Sequence, residues 1–427
     1  MASRRSFLGA LALPLFSARG HAEAPVAAEL GPRMPSQLGR PGDPQFWKRL
    51  RGEFTIPRGE VFFNTGTLGS SPRAVQESVI SHLRHVDRDI AKWDYKADHE
   101  NYFTGYYPER PLRDAIGVLV NCSGADVALC QNATFGMNFI ANGLELERGD
   151  EVIVLSSAHP GGRKGFDLRA KRDGIVVREI KLQDPVPDPA TITAAYLAAT
   201  TPRTKVWAIP HITSSRAIRF PVKELCDLAR ARNIFSSVDG AQSLGHVAVD
   251  VTAMGCDAFF ASPHKWLLAP KGTGFLYVRP ERQKEVWATL ASSSWDDQQD
   301  SMYRLMQYGT GNLSLLKGFA TAIEFHRQIG SDVVEQRIIG LADRLRTGLA
   351  AIPGTRIISP QHPELRCATT VYGIANLTGA QLQDALWVHR IRVRSVGAGE
   401  VRHGCHLYND EADVDRTLAL LRQLSQG

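Results

Sequence analysis

Lys265 sits in the run Ala261-Ser262-Pro263-His264-Lys265-Trp266, 26 residues after the aspartate of Val238-Asp239-Gly240-Ala241-Gln242. Asp239 ends a run carrying Ile234, Phe235 and Val238 that reads as a buried strand tip. Lys265 follows a second short strand, Asp257 to Ala261. A carboxylate and an ammonium buried at successive strand ends are costly unless each has a partner. An aromatic aldehyde with a basic ring nitrogen meets both needs: the amine condenses with the aldehyde and the carboxylate keeps the ring nitrogen protonated. Pyridoxal phosphate is such a compound, and its ring is an electron sink for a substrate carbanion. Taken singly, each residue reads as an ordinary surface lysine or a satisfied strand-end aspartate. The joint pattern carries the inference.

Asp239-x-x-Gln242 followed by Ser262-x-His264-Lys265 resembles the signature of class V aminotransferases. These are fold-type I pyridoxal-phosphate enzymes, and they include cysteine desulfurases, kynureninases and isopenicillin-N-epimerase-like proteins. The resemblance runs from about Phe62 to the C-terminus. It implies that Lys265 carries the cofactor, that Asp239 pairs with the ring nitrogen, and that Gln242 reaches the ring's phenolate oxygen. His159, in Ala158-His159-Pro160-Gly161-Gly162, is implied to stack on the ring, where an imidazole can also move protons. Burial beside a cationic ring nitrogen should depress the Lys265 pKa and let the freed amine act as a base.

Phosphate ligands are implied at Ala133, Thr134, Ser262 and His264. Asn132-Ala133-Thr134 precedes a helix whose first turn offers free N–H groups and the positive end of its dipole. Without the resemblance, a threonine at that place reads as an N-cap. Thr310, in Gly309-Thr310-Gly311-Asn312, is implied to reach the phosphate of a neighbouring subunit, hence a homodimer with shared sites. The bare sequence there reads equally as a glycine turn with an N-cap asparagine. Arg402, followed by His406-x-Tyr408-Asn409, is implied to bind the substrate carboxylate, a task suited to a bidentate guanidinium. Asn64 and Arg216 complete the expected substrate-binding set.

Two departures narrow the reading. Many desulfurases carry Arg-x-Gly-x-x-Cys before the small-domain arginine, whereas Val393 to Glu400 holds no thiol here and Cys405 lies beyond Arg402. Desulfuration needs a thiolate nucleophile, so it ranks low. The segment His211-Ile212-Thr213-Ser214-Ser215-Arg216 is closer to the epimerase-like branch. Arg216 and Arg219 either select an acidic substrate or stay solvated in their loop.

The N-terminus reads as an export signal. Ser3-Arg4-Arg5-Ser6-Phe7-Leu8 fits the twin-arginine pattern, Gly9 to Phe16 is modestly apolar, and Ala22-Glu23-Ala24 offers small residues for cleavage. The stretch is too short to anchor stably in a bilayer. Twin-arginine export moves folded proteins, which suits an enzyme that captures its cofactor before leaving the cytoplasm. The expected location is the periplasm, with the twin-arginine machinery as a partner. A net charge of +6 spread over 427 residues, with no basic cluster interleaved with aromatics, argues against nucleic-acid binding. The six cysteines show no metal-ligand spacing and read as small buried hydrophobes. No metal and no structural disulfide are expected.

A hydrophobic content of 43% with 22% charged residues is that of a soluble globular chain. Alternating strand and helix signals predict an α/β fold: a large, mostly parallel mixed sheet with helices on both faces, plus a smaller C-terminal α+β domain. The expected division is a signal peptide over 1–24, a leader and N-terminal segment over 25–58, a cofactor domain over 59–312, and interdomain helices with the small domain over 313–427. Within the family, the best resemblance is to exported, epimerase-like enzymes that modify the glutamate side group of the siderophore pyoverdine, by transamination or oxidative decarboxylation. Alternatives are an aminotransferase or epimerase of free amino acids, a desulfurase-like enzyme, and an inactive binding module on the same fold.

Overall fold

The computed structural model describes residues 38–92 and 109–426. The expected signal peptide and the first part of the leader lie outside the described residues.

The core of the molecule is a seven-stranded sheet in the order Val127–Cys130, Gly274–Val278, Ala258–Ala261, Phe235–Asp239, Thr204–Pro210, Glu151–Leu155, Val176–Ile180. The last five run parallel, and Gly274–Val278 is antiparallel to both of its neighbours. Glu151–Leu155, Ala258–Ala261 and Gly274–Val278 are buried at every position, the mark of strands covered on both faces rather than one. In such a sheet the crevice outside the carboxyl ends of the strands is the natural ligand site. Asp239 is the last residue of its strand and lies in register with Phe260 of the next. Lys265 follows that neighbour by four residues, so aspartate and lysine emerge side by side at the same sheet edge.

A second layer forms a four-stranded antiparallel sheet in the order Arg394–Val396, Glu400–Gly404, Thr369–Ile374, Thr355–Ile357. Helices Ser331–Ala350, Gly379–Val388 and Glu411–Leu424 pack with it. Its apolar cluster includes Leu341, Tyr372, Val401 and Leu421. The same cluster takes in Leu38, Phe46, Leu50 and Phe54, so the described part of the N-terminal segment packs on this smaller unit. Val61–Phe62 pairs in parallel with Ile391–Arg392, and Asn64 bridges Gly404. Those pairings bring the early chain beside the strand that carries Arg402. Helix Leu313–Ile329 joins the two units: Phe319 and Ile323 belong to the large cluster, Phe325 and Ile329 to the small one.

Candidate active site

A cavity of about 580 Å³ opens between the two units at the carboxyl edge of the sheet. Of the residues expected at the site, Ala133, Thr134, His159, Asp239, Ser262, His264, Lys265 and Arg402 line it, brought together from five separate stretches of chain. A neighbouring groove of about 420 Å³ includes Trp387 and Arg392, but no lysine, histidine or cysteine is among its described lining residues.

Lys265 is 8% exposed, and burial lowers its pKa to about 8, against the opposing pull of Asp239. The amine is thus partly neutral, hence nucleophilic, near physiological pH. Burial raises the pKa of Asp239, while the Ala241 N–H, donated to its Oδ1 at 2.9 Å, works the other way. Gly162 stands against the second carboxylate oxygen: a Cβ there would lie 2.2 Å from Asp239 Oδ2. The ring of His159 lies at the cavity mouth, and its Nδ1 accepts the Gly161 N–H at 3.0 Å, which fixes the neutral ring's proton on Nε2. Partial burial lowers its pKa, and Lys265 lowers it further.

Opposite the lysine, helix Ala133–Gly143 points its N-terminus into the cavity. Its N-cap is Asn132, not Thr134, and the Asn132 side chain accepts the Phe135 N–H. Thr134 is therefore a second-position helical residue, exposed toward the cavity. The Ala133 N–H donates to Ser262 Oγ at 2.9 Å, tying the helix start to the segment that carries Lys265. Nearby, His264 Nδ1 is buried without a hydrogen-bond partner, and burial brings that ring's pKa down to about 4.

On the far wall Arg402 is 7% exposed. Its Nη1 donates to the Ser214 carbonyl at 2.9 Å, and its Nη2 donates to Asn64 Oδ1 at 3.1 Å and Thr67 Oγ1 at 2.7 Å. Three neutral oxygens thus orient the guanidinium without cancelling its charge. Burial lowers its pKa to about 10. Thr67 and the Ser214 carbonyl were not singled out in the sequence, since a loop threonine and a backbone oxygen leave no chemical signature there.

Two expected residues are placed differently. Gln242 does not line the cavity: its Nε2 donates to the Gly66 carbonyl at 2.8 Å and its Oε1 accepts the Trp266 indole N–H at 2.8 Å. It supports the cavity from behind, through Gly66. Arg216 also stands outside the lining, ion-paired to Asp184 at 2.7 Å. Thr310, expected at the site of a neighbouring subunit, is exposed and outside this cavity's lining, while Asn312 caps helix Leu313–Ile329. None of the six cysteines is disulfide-bonded or lines the cavity, and Cys405 is buried with its thiol pushed up to about 12. Among the described residues no cluster suited to a metal ion occurs, and no helix is long and apolar enough to cross a membrane.

A depressed buried lysine, an aspartate behind a glycine, and an orphaned imidazole near a helix N-terminus fit pyridoxal phosphate. Residues 103–417 match the family model described as aminotransferase class-V. The chain belongs to that family, whose cofactor is pyridoxal phosphate. It is 29% identical over 401 residues to isopenicillin N epimerase of Streptomyces clavuligerus, covering 89% of this chain and 98% of that protein. A probable cysteine desulfurase of Xylella fastidiosa is 28% identical over 327 residues, covering 73% of this chain and 77% of that one. Among solved structures, the apo cysteine desulfurase of Thermococcus onnurineus superposes with a TM-score of 0.79 at 20% identity, over 89% of this chain and 98% of that chain. A cystine C–S lyase solved with cysteine persulfide gives 0.76 at 21% identity, over 86% and 98%. At that identity these two structures establish the fold: fold-type I, a mixed, mostly parallel sheet with helices.

Proposed function

We propose that this protein works at the α-carbon of an amino-acid group whose carboxylate is held by Arg402, and that the group is the glutamate side group of a siderophore such as pyoverdine. The observation that carries the α-carbon reading is Arg402 itself. It is a buried cation, oriented by three neutral oxygens and turned into the cavity that holds Lys265. An uncompensated guanidinium of this kind suits a carboxylate ligand. The siderophore assignment leans on the export-type N-terminus and on the epimerase-like pattern of residues 211–216, and it places the enzyme in the periplasm.

When bound, pyridoxal phosphate supplies the sink for negative charge at the substrate α-carbon. The chain's own groups do the rest. Asp239 would hold the proton of the ring nitrogen, and the charge of that nitrogen would reverse the burial-driven rise in the Asp239 pKa. Ser262, His264 and Thr134, with the N-terminus of helix Ala133–Gly143, would hold the phosphate. Arg402 would fix the substrate carboxylate and so orient the bonds at the α-carbon. Lys265, freed with a pKa near 8, takes or returns the α-proton at Nζ. His159 would cover the ring's outer face. Thr310 would serve the site of a second subunit in a homodimer.

The similarity to epimerases keeps proton removal and return at the same carbon as a second outcome of this arrangement. Desulfuration is disfavoured because no described cysteine lines the cavity. The deciding experiment is mass spectrometry of pyoverdine intermediates from a strain lacking the gene. A changed glutamate side group supports the siderophore reading, and an unchanged profile overturns it. Sulfide release from cysteine by the purified protein would favour the desulfurase reading instead.

A further inference from the structure

We infer that Arg394 is a second anion-binding residue of this cavity, taking a carboxylate at the far end of the substrate while Arg402 takes the one beside the reacting carbon. This rests on the α-carbon reading above and adds a substrate class to it. Arg394 and Arg402 lie directly opposite each other in antiparallel register. Directly opposed residues present their side chains on one face of a sheet. Both line the same cavity.

Two guanidiniums side by side repel, and Arg394 contributes to the lowering of the Arg402 pKa. A bound anion between or beside them removes that penalty. Arg402 has five N–H donors, and three contacts already orient it toward Ser214, Asn64 and Thr67. One carboxylate fills what is left, so a second carboxylate needs a second cation.

The other nearby arginines are already compensated. Arg216 pairs with Asp184 at 2.7 Å and Arg219 with Glu335 at 2.8 Å. Among the described residues the exposed Arg394 side chain has neither a hydrogen bond nor an ion pair, yet its strand is held in place. The Ser395 N–H donates to Gln383 Oε1 at 2.8 Å, and the turn after the strand is made by Gly397 at φ 74°. A fixed backbone carrying an unpaired cation over a binding cavity is the arrangement a distal carboxylate requires. That carboxylate belongs either to the side chain of a free acidic amino acid or to a unit further along a peptide-like substrate.

The test uses the full-length holoprotein, whose bound cofactor reports ligands by its absorbance. Glutamate, glutamine, γ-glutamylglycine and γ-glutamylglycinamide are titrated into the wild type, Arg394→Gln and Arg394→Lys. The expected result is that the wild type prefers the acid over its amide in at least one pair by about tenfold or more, the worth of one charge-assisted hydrogen bond. Preference in the first pair identifies a free acidic amino acid; preference confined to the second identifies a longer substrate. Arg394→Gln should abolish the preference and Arg394→Lys should keep part of it. A preference that survives in Arg394→Gln, or is absent from the wild type, overturns the inference alone. No spectral response to any of the four overturns the amino-acid reading and this inference with it.

Discussion

The His246 imidazole lies flat against the Trp266 indole, with ring centroids 3.7 Å apart and planes inclined by 27°. His406 flanks the same indole at 5.4 Å and hydrogen-bonds the Trp266 carbonyl through Nε2 at 2.9 Å. The indole N–H donates to Gln242 Oε1. The residue after Lys265 is therefore clamped by both units of the fold. Trp266 belongs to the small-unit cluster, although Lys265 opens into the cavity. The clamp holds the lysine backbone while leaving its side chain to react.

Replacing Trp266 with phenylalanine keeps a ring between the histidines but strands the buried Gln242 oxygen. Denaturant unfolding should show a loss of about 1–3 kcal/mol, the cost of one unsatisfied buried acceptor. Alanine at the same place should cost about 3–5 kcal/mol through the cavity it leaves. An unchanged midpoint for the phenylalanine variant would contradict the clamp.

The same contacts make the fold sensitive to acid. His246 donates through Nδ1 to the Gln242 carbonyl and accepts the Ala368 N–H at Nε2, so its ring is neutral. Burial lowers His246 well below its ordinary value of 6.5, and brings His406 and His403 down to about 3. Their folded pKa values lie below the unfolded ones, so between those limits the unfolded chain binds more protons. Stability from this source is present above about pH 6.5 and is lost as pH falls toward the folded values. Unfolding midpoints measured from about pH 7 down to about pH 4.5 should fall steadily, and a flat profile would refute the neutral state of these buried imidazoles.

Gly162 is a test of the Asp239 carboxylate. A methyl group there would sit 2.2 Å from Oδ2, so Gly162→Ala must displace the aspartate. Titration of the apoprotein with pyridoxal phosphate should show affinity weakened by about tenfold or more, the loss of one charge-assisted bond. Unweakened binding would place the ring nitrogen elsewhere.

Arg402 should not tolerate lysine. One guanidinium reaches Ser214, Asn64 and Thr67 together, a fork that an ammonium cannot reproduce. Arg402→Lys should lower kcat/KM for the substrate by about 100-fold, consistent with disrupting a buried charge pair. A change below about threefold would remove Arg402 from carboxylate binding.

Much of this site is legible in the sequence, because strand-end chemistry is local. Asp239, Ser262, His264 and Lys265 each sit within a few residues of an apolar strand, and strand-end position in an α/β sheet predicts the cavity. The interior strand Glu151–Leu155 falls where its apolar run places it. The edge strand Val127–Cys130 escapes: four residues, all buried, show no alternation to read. Helix Pro189–Ala199 escapes as well, since its alanine-rich face gives little periodicity, although Asp188 caps it in the expected way. Gln242 and Arg216 show the other limit. Their sequence positions are near the site, but tertiary partners, Trp266 and Asp184, decide where their side chains go. The pairing of Arg394 with Arg402 is a cross-strand register, which spacing along the chain does not reveal.

The central claim is a covalent bond between the Lys265 amine and pyridoxal phosphate. The direct measurement is borohydride reduction of the holoprotein followed by peptide mass spectrometry, run beside Lys265→Ala. The account predicts a phosphopyridoxyl group on Lys265 in the wild type, and neither label nor near-visible absorbance from a lysine-bound cofactor in the variant. A label on another lysine, or a colourless and unlabelled wild type saturated with the cofactor, would contradict it.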